Sequence, residues 1–99
     1  MDAQPEESRL TRYLVELQRP ADGWGELGLV TARARAVAEE MTAEGVTVRF
    51  LRSIFVPEDE SCCFLYEARS GEAVGEAGRR AQLEVGRIDQ SVRVSQEPR

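Results

Sequence analysis

The sequence predicts an α+β domain of the ferredoxin-like kind, βαββαβ, with a four-stranded antiparallel sheet and two helices on one of its faces. Three observations predict it. Val46 to Ala68 holds two runs rich in β-branched and aromatic residues, VTVRFLRSIFV and SCCFLYEA, on either side of the polar turn Pro57 to Glu60. A strand pattern followed by a helix pattern precedes this hairpin, and the mirror order, helix then strand, follows it. The length of 99 residues suits one domain with a modest core.

Taken in order, residues 1–9 are polar, carry Pro5 and read as a disordered tail; the domain proper spans residues 10–94, and residues 95–99 are expected to fray. Leu10 to Leu17 alternates as a strand, with Tyr13, Val15 and Leu17 on one face and Arg12, Leu14 and Glu16 on the other. The loop RPADGWG follows, broken by Pro20 and Gly23, with Asp22 placed to cap the next element. Leu27, Val30, Ala34, Val37 and Met41 recur at helical spacing and predict a first helix from about Glu26 to Glu44, stopped by Gly45. Glu39, Glu40 and Glu44 crowd its C-terminus, against the helix dipole. Ser70 caps a second helix, Gly71 to Gln82, whose buried side is small: Ala73, Val74, Ala77 and Ala81. The last strand is expected at Arg87 to Val94, with Asp89 forming a solvated pair with Arg87 or Arg93.

Composition narrows the function classes. The net charge is −5, and all 13 basic residues are arginine, with no Lys, His or Asn, as a GC-rich genome would produce. An acidic balance argues against a nucleic-acid partner. No apolar run reaches the length of a membrane span and no signal pattern precedes the domain, so a cytoplasmic protein without a membrane partner is expected. Cys62 and Cys63 are adjacent, so in a strand they point to opposite faces and neither share a metal nor form a disulfide with each other. The acids Glu58 to Glu60 read as a solvated turn, too short for a calcium loop.

The hairpin decides which side chains share a face. Pairing Arg52 with Tyr66, Ile54 with Phe64 and Val56 with Cys62 puts the even-numbered residues together. Leu51, Phe55, Cys63 and Leu65 then form an apolar face for the helices. Phe50, Arg52, Ile54, Phe64 and Tyr66, joined by Glu16 of the first strand, are expected on the helix-free face. An acid, a base and a phenol in an aromatic setting suit a small-molecule pocket, with Trp24 either closing its edge or packing on the first helix. The alternative is a Glu16–Arg52 salt bridge at a dimer interface.

RYLVE at Arg12 to Glu16, RFLRSIFV at Arg49 to Val56, LYEA at Leu65 to Ala68 and GRI at Gly86 to Ile88 resemble a family of small bacterial nickel-binding, ferredoxin-like proteins of otherwise unknown function. The resemblance covers nearly all of the chain from Arg12 to Val94. It implies a homodimer with facing sheets, a dimeric α+β barrel, and a soft-metal site. Where that family carries His in the second strand, Cys in the third and His in the second helix, this chain has Arg52, Phe64 and Ala77. Nickel favours imidazole and thiolate, so no metal and no cofactor is expected here, and Arg52 would attract an anion instead.

Three functions stay open. The first is a homodimeric barrel holding a small organic anion on the helix-free face, with Arg52, Phe50, Ile54, Phe64 and Trp24 as ligand-binding residues. The second is a cofactor-free cyclase, isomerase or dehydratase of specialised metabolism, with Glu16 as general base and Tyr66 as proton donor at the same pocket. The third is a metal-binding protein, as in the resembled family. A module with no ligand at all is compatible with the same fold.

Overall fold

The computed structural model describes residues 10–90. Its elements follow the expected order: β1 Thr11–Leu17, α1 Leu27–Ala43, β2 Val48–Val56, β3 Ser61–Ala68, α2 Gly71–Arg80 and β4 Val85–Gln90. The strands form one antiparallel sheet in the order β2-β3-β1-β4, the ferredoxin-like arrangement with β1 and β3 at the centre. The tails expected at residues 1–9 and 95–99, and the proposed end of the last strand at residues 91–94, lie outside the described residues.

Local chemistry sets the helix ends. Gly45 adopts φ +106, a conformation that favours glycine, and the amide of Val46 returns to the Met41 carbonyl to end α1. Ser70 stands at the N-cap of α2, its hydroxyl accepting from the Ala73 amide at 3.2 Å. Asp22 does not cap α1; Glu26 takes the N-cap position and its side chain makes no capping bond. The unfavourable acid at the other end of α1 has a partner, since Glu44 pairs with Arg80 of α2 at 3.1 Å.

Both helices cover one face of the sheet. Ala34, Val37, Ala38 and Met41 of α1, with Val74, Ala77 and Ala81 of the α2 segment, meet Tyr13, Val15, Leu17, Val48, Cys62, Phe64, Tyr66 and Ala68. The small residues of α2 let it approach β4: a Cβ on Gly78 would lie 3.3 Å from Val85 Cγ2.

The hairpin register is one residue away from the expected one, and this reverses the predicted faces of β3 while Arg52 and Ile54 of β2 keep theirs. The four-residue turn closes with Val56 opposite Ser61, so Phe55 pairs with Cys62, Ile54 with Cys63 and Arg52 with Leu65. A one-residue slip moves a strand's whole set of side chains to the other face. Cys62, Phe64 and Tyr66 are therefore completely buried beneath the helices, while Cys63 and Leu65 face the helix-free side. A bulge at Leu51 changes the phase again, so Phe50 pairs with Tyr66 on the helix side while Arg52, two residues on, stays on the open side. Phe50 stacks edge-on against both Phe64 and Tyr66, with centroids 5.0 and 5.4 Å apart.

Candidate functional site

The helix-free face is a grid read directly from the strand register. One row runs Arg52, Leu65, Leu14, Asp89 across β2, β3, β1 and β4; the next runs Ile54, Cys63, Glu16, Arg87. At one end of the grid lie Arg49, Glu67 and Arg12. Leu14, Ile54, Cys63 and Leu65 are half-buried, so the centre of this face is apolar and its edges are charged.

Most of those charges are compensated locally. Arg12 and Arg49 reach Glu67 at 3.3 and 4.0 Å, and Arg87 bonds Asp89 at 2.9 Å. Glu16 is opposite Arg87 and helps to hold the Arg87 guanidinium charged, after the larger effect of Asp89. Arg52 forms no ion pair with any described residue. Cys63, in the middle, has its thiol pushed up by burial first and then by Glu16 and Asp89, so it is mostly protonated near neutrality.

Of the seven residues expected to form one pocket, Glu16, Arg52 and Ile54 share this face. Phe50, Phe64 and Tyr66 stand on the opposite side of the sheet, for the register reasons given above. Tyr66 thus cannot donate a proton to anything bound near Glu16. Its hydroxyl bonds no described residue, and burial drives its pKa up to about 12. The ring of Phe50 is covered by the Arg35 guanidinium, 4.8 Å from its centroid.

Trp24 belongs to neither group. Its indole Nε1–H donates to the Glu60 carbonyl at 3.0 Å and its ring meets Phe55 edge-on at 6.2 Å, which ties the β1–α1 loop to the hairpin turn. There it lines a cleft of about 600 Å³ between that loop, the start of α1 and the segment 82–84. Leu17, Leu27, Val30 and Leu83 supply apolar walls, and Asp22, Glu26, Glu84 and Arg33 the charged ones. The sequence carried a signal for the cleft only in Trp24; Arg33, on the exposed side of a helix, had no motif around it.

Among the described residues, no group of three His, Cys, Asp or Glu side chains is placed to hold a metal ion. Within the same residues no helix is long and apolar enough to cross a membrane. No protein-family model, curated protein or solved structure matches the chain.

Proposed function

We propose that the protein acts as a homodimer in which two helix-free sheet faces close on each other and hold a small organic anion, with Arg52 as its anchor. The observation that carries this reading is the state of Arg52 on that face. Leu65 lies directly opposite it in register, Leu14 stands one strand further on, and Arg52 has no ion-pair partner among the described residues. A sheet with a half-buried apolar centre and mixed charge around it suits a second copy of itself. Closing two such faces would strip water from Arg52, and a bound carboxylate or phenolate would offset that cost. Glu16 has less need of a ligand, because Arg87 is its cross-strand neighbour. The resemblance to the nickel-binding, ferredoxin-like family points to the same facing-sheet dimer. The enzyme reading loses its proton donor with Tyr66 and is not carried further.

Sedimentation at micromolar concentration tests the dimer, and salicylate, followed by its own fluorescence, tests the anchor. The expected result is a dimer that Leu65→Arg converts to a folded monomer, and salicylate binding weakened about 30- to 150-fold by Arg52→Ala, the loss of a charge-assisted bond in a dry site. A monomeric parent protein contradicts the dimer, and unchanged salicylate binding in Arg52→Ala contradicts the anchor.

A further inference from the structure

The cleft beside Trp24 lies on the helix side of the molecule and is independent of the helix-free face. We infer that it binds a small aminocarboxylic acid with an aromatic or apolar body, the carboxylate on Arg33 and the ammonium on the acidic rim. Its volume of about 600 Å³ falls within the range of small-molecule sites.

Arg33 is held in place without being neutralised. Its Nε–H donates to the Ala81 carbonyl at 2.7 Å, and its two Nη groups bond no described residue. A planar guanidinium fixed in this way presents a fork that matches a carboxylate. Around it, Asp22, Glu26 and Glu84 line the same cleft, and none forms an ion pair with another described residue. Three carboxylates against one guanidinium repel a simple anion and favour a ligand that brings its own ammonium group. The indole of Trp24 and the side chain of Leu83 offer the apolar body a surface.

The walls are built before any ligand arrives. The Gln18 amide donates to the Glu84 carbonyl at 2.7 Å, joining the two lining segments, and the Trp24 ring is oriented by Glu60. Gln82 lines the cleft at φ 60, in the position after a helix where glycine is usual. The Cβ of this glutamine is disfavoured in that conformation, a local cost borne by a residue that lines the cleft.

Trp24 is the only tryptophan, so its emission reports on this cleft alone. The protein is titrated with L-phenylalanine, 2-phenylethylamine and 3-phenylpropanoate. The expected result is a saturable change with phenylalanine, at a half-saturating concentration at least about tenfold below that of either partial analogue. Arg33→Gln should reduce phenylalanine to the level of the amine. Glu26→Gln, at an exposed side chain that bonds nothing described, should weaken phenylalanine binding while leaving the melting temperature unchanged. Gln82→Gly should raise the melting temperature and weaken phenylalanine binding together. The inference is overturned by no saturable change with phenylalanine in the millimolar range, by either analogue binding as tightly, or by variants of Arg33 and Glu26 that bind it as the parent does.

Discussion

Phe64→Ala is expected to destabilise the domain by about 3–5 kcal/mol, the cost of removing a fully buried aromatic ring whose surroundings collapse only in part. The ring lies at the middle of the core on a central strand, between Val15 of β1 and Phe50 of β2. A domain of this size has a total stability of roughly 5–15 kcal/mol, so the variant should lose a large fraction of it. Leu65→Ala, one residue along and on the helix-free side, is expected to cost a monomer only about 1 kcal/mol. Urea titration of both variants, at protein concentrations low enough to dissociate the dimer, measures the contrast. Equal losses, or a larger loss for Leu65, would reverse the assignment of faces.

Alkaline pH is expected to act through Tyr66. Its phenol sits at about 12 in the folded chain, above the ordinary value of 10.0, because burial disfavours the phenolate. The unfolded chain therefore ionises first. The contribution is fully present below pH 10 and is lost as pH rises toward 12. The shift corresponds to about 2–3 kcal/mol of stability lost across that window. Tyr66→Phe should remove this step from the pH profile. The variant should also be more stable than the parent at neutral pH by about 1 kcal/mol, since the hydroxyl it deletes is buried without a described partner. Parallel profiles for the two proteins above pH 10 would show that the hydroxyl is solvated or bonded.

The order of elements was legible because each boundary has its own local chemistry. Ser70 caps, Gly45 turns, and Pro57 to Glu60 separates two strand-like runs, so the helices and the hairpin appear within one or two residues of their expected limits. The faces of β2 and β3 were less legible, because they depend on a single residue of register. Arg49 to Val56 and Ser61 to Glu67 have apolar side chains at both parities, so alternation alone did not distinguish inside from outside. Glu67 carried the missing signal. It shares parity with Cys63 and Leu65, and burying that set would have placed a carboxylate beneath the helices. The bulge at Leu51 had no such marker, with neither glycine nor proline there, so the separation of Phe50 from Arg52 could be read only from the folded chain.

The candidate site followed the same division. Glu16 was placed correctly because β1 alternates cleanly, with Tyr13, Val15 and Leu17 buried and Glu16 exposed. Tyr66 and Phe64 were misplaced with the register. The cleft at Trp24 and Arg33 is assembled from β1, the following loop, α1 and the segment before β4, and no single stretch of sequence carries its pattern.

The two adjacent thiols provide the most direct test of closure on the helix-free face. Cys62 is fully buried beneath the helices and Cys63 stands at the centre of the open side, and both are free. The measurement is the rate of iodoacetamide alkylation of Cys63 in Cys62→Ala protein at micromolar concentration, followed over pH and expressed per thiolate, with and without Leu65→Arg. If the faces close on a second copy, Cys63 reacts slowly in the dimer and at least about tenfold faster once Leu65→Arg separates the two chains. Equal rates in the two proteins would mean that Cys63 meets solvent in both, and the facing-sheet dimer would be contradicted.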